Sequence, residues 1–256
     1  MAGDAMLELS ELSKHFDGIR AVDGLSLEVE RGEVFGLIGP NGSGKSTTVN
    51  LVCGVFPATS GRVLLEGKDL GGLPPHRRLN AGISRTFQNI RLFGELTVWQ
   101  NLWIARRDAP GEEAGFMRNW FGSSARIREA IEETLVFAGL AGRANDLARN
   151  LAFGEQRRLE LARAVSARPQ LILLDEPAAG MNREEVEDLK QRILALKGSG
   201  ITVLLVEHVM ELVMGVTDRV AVLNFGKLIA LGAPGEIQGN MAVREAYLGS
   251  PDAEAA

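Results

Sequence analysis

The chain predicts an α/β fold, and three observations carry that prediction. A Gly-rich stretch, Gly39-Pro40-Asn41-Gly42-Ser43-Gly44-Lys45-Ser46-Thr47, lies between an apolar run over residues 34–38 and a helix-like segment over 46–55. Two further apolar runs, 171–174 and 201–206, end in ionisable side chains, Asp175-Glu176 and Glu207-His208. Between residues 89 and 165 the apolar spacing changes from two to three and four, which is the period of helices. Buried strands that alternate with helices favour a largely parallel sheet.

A chain of 256 residues suffices for one large α/β domain or two small ones, with a sizeable core. Its 45% hydrophobic content fits a soluble, globular protein. Residues 1–6 carry no export signal, and the apolar runs fall far short of the roughly 20 residues that span a bilayer. The expected location is therefore cytoplasmic, with membrane contact only through a partner. A net charge of −5 argues against a nucleic-acid partner. The single cysteine, Cys53, excludes an internal disulfide, fits a reducing compartment and reads as a buried small hydrophobe.

In chain order, residues 7–13 and 25–29 alternate apolar and polar like half-buried strands. Lys14-His15-Phe16-Asp17-Gly18 joins them; Phe16 is either core or a ligand platform, and His15 is a surface residue. Arg31-Gly32 turns into the strand before the Gly-rich loop. Residues 61–67 read as a strand, 73–80 as a Pro-fixed turn entering a short helix, and 83–87 as a strand ending at Gln88. His76 falls on that turn and reads as solvated.

Val98, Trp99, Leu102 and Trp103 mark one helix of the insert. Ile127, Ile131, Leu135 and Ala138 mark another, after Ser123-Ser124 and before Gly139. Residues 110–124 hold Phe116, Trp120 and Phe121 among glycines, and form either a loop tucked onto the helices or an exposed docking patch. Residues 155–167 continue as a helix and 170–174 as a strand. Asn182 and Glu185 form a capping box for a helix that Lys197-Gly198 stops. Residues 201–206 are a buried strand and 220–231 a hairpin. The domain is expected to run from residue 7 to 250, with flexible termini at 1–6 and 251–256.

The Gly-rich stretch fits GxxxxGK[ST], a phosphate loop. Glycines let backbone N–H groups close on phosphate oxygens, Lys45 reaches the β- and γ-phosphates, and the Ser46 hydroxyl can ligate Mg²⁺. The helix after the loop adds its positive end to the anion site. Ligands of an open parallel sheet bind at the carboxyl ends of its strands, so Asp175 and His208 are expected beside this loop. Asp175 ends a second nucleotide motif and would hold Mg²⁺, while Glu176 could polarise a water in line with the γ-phosphorus.

Gln88, residues 151–156, Asp175-Glu176-Pro177 and His208 stand in the order and spacing of an ABC-type ATPase, which the chain resembles over nearly its whole length. Residues 150–163, residues 175–182 and the closing Ala246-Tyr247-Leu248-Gly249 resemble the ATPase subunit of bacterial branched-chain amino acid importers. The resemblance implies a P-loop ABC-type nucleotide-binding domain with an N-terminal antiparallel β subdomain and an α-helical subdomain inserted at about 89–165. It implies ATP and Mg²⁺ as cofactors. Phe16 would stack on adenine with Val22 nearby, and Gly39, Asn41, Gly42, Ser43, Gly44, Lys45, Ser46 and Thr47 would cradle the phosphates. Ser46, Gln88 and Asp175 would ligate the metal, Glu176 would be the catalytic carboxylate, and His208 would bond the γ-phosphate.

The resemblance also implies a sandwich, as a homodimer or as a heterodimer with a sister ATPase. In it, Leu151, Ala152, Phe153, Gly154, Glu155 and Gln156 would act as a signature loop on the other subunit's ATP. Integral-membrane permease subunits, and a periplasmic binding protein through them, complete the implied partners. Ala152 departs from the family pattern by lacking a hydroxyl; a hydrogen bond to a charged group contributes about 1.5–3 kcal/mol. Asn182 stands where the family has an Asp. A weaker signature face results, relying on the Gly154 N–H and the helix N-terminus. Two alternatives remain: a soluble ABC nucleotide switch outside transport, and the ATPase of a lipopolysaccharide exporter, whose signature keeps the Ser that Ala152 replaces.

Overall fold

The computed structural model describes residues 5–106 and 124–248. The aromatic segment at 110–123 and the tail after 248 lie outside them. Strands β1 (Ala5–Phe16) and β2 (Ile19–Glu30) form a long antiparallel hairpin. With β4 (Ser60–Leu65) and β5 (Lys68–Asp69) they build a sheet of order β2-β1-β4-β5. Both hairpin strands run longer than simple alternation predicts, because bulges re-phase them. Glu11 takes φ 48° and the register shifts between Leu9 and Leu12, so two leucines three apart both point inward. One boundary needs correction: Met6 is 1% exposed within β1, so residues 5 and 6 belong to the sheet rather than to a flexible terminus.

The second sheet has the order β10-β9-β3-β8-β7-β6. Strands β3 (Val34–Ile38), β6 (Ile83–Arg85), β7 (Leu171–Asp175), β8 (Thr202–Val206) and β9 (Arg219–Asn224) run parallel, and β10 (Lys227–Gly232) returns along β9 as the expected hairpin. Its central strands are buried on both faces. Leu171, Leu173, Leu204 and Val206 join the core under the antiparallel sheet, whereas Ile172, Leu174, Val203 and Leu205 join the core on the opposite face. Continuous apolar runs in the sequence have this cause.

Helix α1 (Lys45–Val52) comes directly after the phosphate loop, and α2 (Pro75–Ala81) precedes β6. Helix α1 ends three residues before the expected boundary. The buried Arg78 guanidinium of α2 donates to the Leu51, Val52 and Leu70 carbonyls at 2.6, 2.8 and 2.9 Å, and closes that end. Helices α3 (Val98–Ile104), α4 (Ser124–Ala138) and α5 (Phe153–Ser166) share a separate core of Val98, Leu102, Ile131, Leu135 and Leu159. Leu161 and Ala164 of α5 belong instead to the core of the main sheet, so α5 joins the two bodies.

Capping boxes at Thr97 and Asn182 start α3 and α6 (Arg183–Gly198). Helices α7 (Met210–Val216), α8 (Pro234–Gly239) and α9 (Met241–Leu248), which the sequence pattern does not resolve, pack at the C-terminal end. No helix among the described residues is long and apolar enough to cross a membrane.

Arg78→Met keeps an unbranched apolar stem but strips those carbonyls of charged donors. It should cost about 2–4 kcal/mol, measured as the shift in a urea unfolding curve.

Candidate active site

The phosphate loop leaves β3 at Gly39 and enters α1 at Lys45. Two glycines make its path possible. A Cβ on Gly39 would lie 2.2 Å from the Leu223 carbonyl oxygen, and one on Gly44 would lie 2.4 Å from that of Ala21. The β9–β10 turn braces the loop from outside: Gly226 N–H donates to the Ser43 carbonyl at 3.0 Å and its own carbonyl accepts from Asp23 N–H at 2.9 Å. Asn41, Gly42 and Ser46 are exposed, Thr47 is half-buried, and Ser43 is buried. The Lys45 ammonium is buried and donates to the Gly39 and Pro40 carbonyls at 2.7 and 2.9 Å. Burial lowers its pKa, and the nearby Glu176 and Asp175 carboxylates oppose that shift.

Register brings the other strand ends to the same edge. Val206 pairs with Leu37 on one side and with Asp175 on the other. The Arg85 guanidinium holds Asp175 Oδ2 at 2.7 Å. Glu176 takes a left-handed φ of 48°, and its N–H donates to the Val206 carbonyl at 2.8 Å. Such backbone costs energy for a residue with a Cβ and tends to occur at functional sites. Gln88 Nε2 donates to Glu176 Oε2 at 2.8 Å. His208 presents an exposed ring beside the fully buried Glu207, whose carboxylate accepts from the Ala178, His208 and Val209 N–H groups at 2.8, 2.7 and 2.9 Å. Lys45, Gln88, Asp175, Glu176 and His208 therefore share one edge.

The two residues expected near the base differ in exposure. Phe16 is 38% exposed at the end of β1, edge-on to Phe56 at 5.4 Å. Val22 is wholly buried in the core, so its side chain supports β1 from beneath and offers no surface to a base.

The signature stretch lies at the start of α5. Leu151 is buried, and Ala152 and Phe153 are exposed. A Cβ on Gly154 would stand 2.3 Å from Glu185 Oε1, so any side chain there would have to displace the Glu185 carboxylate from the α6 capping box. Ala152 offers no side-chain acceptor, and its N–H is capped by Glu155 Oε2 at 2.9 Å. Gln156 donates to the Leu151 carbonyl at 2.9 Å.

Sequence reasoning assigns no role to Arg157, which looks like one more arginine on a polar helix. Its buried guanidinium donates to the Gln88 carbonyl at 2.8 Å and to the Phe87 carbonyl at 3.4 Å, and pairs with Glu160 at 3.4 Å. Burial pushes the Glu160 carboxyl up, and Arg157 counters it. A pair of charged residues three apart inside a helix with apolar neighbours is the signal the sequence holds for it. Tyr247 of α9 is also unassigned beyond its place in the closing motif. Burial raises its phenol pKa, while the Gly39 N–H directed at its oxygen opposes that.

Ser46, Gln88 and Asp175 offer a hydroxyl, an amide and a carboxylate, hard oxygen donors that suit Mg²⁺. Arg85 occupies Oδ2 of Asp175, which leaves capacity at Oδ1. Behind this edge a groove of about 820 Å³ opens between the main sheet and the helical body. Val55, Leu79, Phe93 and Ile104 give it an apolar wall, with Arg91 and Arg163 beside them.

A phosphate loop at the carboxyl edge of a parallel sheet, flanked by an antiparallel sheet and a helical body, defines an ATP-binding cassette. Residues 22–179 match the family model described as ABC transporter, and residues 227–253 match that of the branched-chain amino acid ATP-binding cassette transporter. A high-affinity branched-chain amino acid transport ATP-binding protein of Pseudomonas aeruginosa is 42% identical over 95% of this chain and 98% of its own length. The lipopolysaccharide export system ATP-binding protein of Haemophilus influenzae is 33% identical over 96% of this chain and 98% of its own length. The crystal structure of a nucleotide-free ATP-binding cassette from an ABC transporter superposes with a TM-score of 0.84 at 33% identity, over 96% of this chain and 100% of that one. The chain belongs to the ABC transporter ATP-binding proteins and is an ATPase subunit.

Arg157→Gln should destabilise the fold by about 3 kcal/mol, because Glu160 is left buried without its counter-charge. Adding Glu160→Gln should recover most of that loss. Chemical denaturation of the single and double variants at pH 7 measures the coupling; independent, additive losses would contradict it.

Proposed function

We propose that this chain hydrolyses Mg²⁺-bound ATP to drive an importer of branched-chain amino acids or similar hydrophobic amino acids. The observation that carries the catalytic reading is the meeting of Lys45, Gln88, Asp175, Glu176 and His208 at one sheet edge. For the substrate class, support comes from the 42% identical relative and from the C-terminal match over residues 227–253. The lipopolysaccharide-exporter reading carries less, at 33% identity.

In this reading the loop from Gly39 to Thr47 cradles the phosphates, and Lys45 turns from its own carbonyls to the β- and γ-oxygens. Ser46, Gln88 and Asp175 hold Mg²⁺, which when bound neutralises charge on the transferring phosphoryl group. Glu176 orients and deprotonates the attacking water, and His208 bonds the γ-phosphate. Phe16, exposed at the strand end, stacks on adenine.

A second ATPase subunit, a copy of this chain or a sister, supplies the facing signature loop. The chain works at the cytoplasmic face of the membrane, where the groove beside α3 receives a loop of the permease subunits. Its apolar wall and arginines suit an amphipathic segment with acidic residues. A periplasmic binding protein would deliver the substrate.

Glu176→Gln should bind ATP as tightly as the unaltered chain, lose turnover by at least about a hundredfold and trap an ATP-bound pair. Substantial residual hydrolysis would remove Glu176 from its role. Ala152→Ser should raise the ATPase rate of the assembled transporter; an unchanged rate would mean that the missing hydroxyl does not limit it.

A further inference from the structure

We infer that Arg85 is a positioning residue for the metal side of the ATP site, clamping Asp175 and α1 at a fixed separation. Arg85 lies two residues upstream of the level of Asp175, because β6 pairs with β7 in the register Arg85↔Leu173. From there its two terminal nitrogens diverge: Nη2 donates to Asp175 Oδ2 at 2.7 Å and Nη1 to Asn50 Oδ1 at 2.6 Å. Its side chain is 13% exposed and that of Asp175 is 7% exposed, so the pair is shielded from competing water.

The geometry gives Asn50 its meaning. It stands four residues after Ser46 on α1, one helical turn along the same face. By gripping Asn50 and Asp175 together, one planar fork sets the gap between the helix that carries Ser46 and the strand that ends in Asp175. A guanidinium suits this task because its donors diverge in a rigid plane, whereas an ammonium is a single point.

The other side of Arg85 faces outward. The guanidinium lies 5.1 Å from the centre of the Phe87 ring, Arg91 stacks on the same ring at 4.4 Å, and all three side chains line the large groove. Arg85 is thus the side chain that touches both the Asp175 carboxylate and the wall of that groove. A segment seated there would press on the clamp directly.

The inference rests on reading Ser46 and Asp175 as metal-side ligands, and its test separates the two. Mn²⁺ is titrated by electron paramagnetic resonance into the purified full chain with a non-hydrolysable ATP analogue. Analogue binding in EDTA is measured in parallel. Arg85→Lys keeps the positive charge but cannot span both partners. It should weaken Mn²⁺ binding about tenfold, the low end of the loss expected when a metal ligand is deprived of its supporting hydrogen-bond partner. Analogue binding in EDTA should stay within about twofold, and Asn50→Ala should move Mn²⁺ affinity in the same direction. Unchanged Mn²⁺ affinity in Arg85→Lys, or an equal loss of analogue binding in EDTA, would overturn the clamp. Failure of the unaltered chain to take up Mn²⁺ with the analogue would instead overturn the assignment of the ligands.

Discussion

The register of three parallel strands decides where all the chemistry falls. Val206 of β8 lies level with Leu37 of β3 and with Asp175 of β7, so the three strands stop together. The segments beyond their ends are the phosphate loop, Glu176 and Glu207-His208, and all three are therefore delivered to one edge. A slip of one residue would exchange the faces of a strand that is buried on both sides, so the two cores lock the register. Glu207 locks it again from the edge. Its buried carboxylate binds N–H groups from the loop after β7 and from the loop after β8. Charge-assisted bonds of this kind offset the cost of burying the charge.

Acids near this edge are held in different ways, and the difference sorts them by task. Glu207 is fixed by backbone amides and has a structural role. Glu160 is matched by Arg157, which also grips the Phe87 and Gln88 carbonyls. Arg157 therefore ties the start of α5 to the Gln88 segment. Asp175 is matched by Arg85. Glu176 faces a side-chain amide, Gln88, at 2.8 Å. An amide can give way to water or a ligand without stranding a charge, which an arginine cannot. The one acid with an exchangeable partner is the one read as the catalytic carboxylate.

Much of this was legible in the sequence because it is local. The phosphate loop, the Asp175-Glu176 strand end, the Asn182 capping box and the 220–231 hairpin each fit within a few residues. The features that escaped depend on distant partners. Arg157 and Arg85 look like ordinary surface arginines until their targets, 69 and 90 residues away, come into view. Gly226 looks like any turn glycine, and its N–H braces the phosphate loop only because β9 lies beside β3. Val22 was placed near the base by likeness, and the β1–β2 pairing puts its side chain in the core. The N-terminal boundary was missed because the register shifts between Ala5 and Leu7, and Met6 and Leu7, buried in succession, break the alternation on which the strand reading rested.

In the proposed sandwich this chain carries one half of the site and a partner the other, and the two halves differ in cost. The path of the phosphate loop is fixed by close approach to the Leu223 and Ala21 carbonyls. ATP needs mainly to turn Lys45 away from two loop carbonyls, so little ordering entropy opposes binding. The signature stretch packs away from this loop, against Glu185 and beside Arg143, and would serve a neighbour. There the chain offers less than a hydroxyl-bearing loop. Ala152 lacks a donor, and its N–H is already held by the Glu155 carboxylate, which adds negative charge to the helix end that should receive a phosphate. Arg143, 3.3 Å from Glu155, offsets part of that charge. A γ-phosphate arriving from a partner would have to draw Glu155 toward Arg143 and free the N-terminal amides. Closure over this face should therefore be the harder of the two, which favours a partner whose own signature loop lacks this acid.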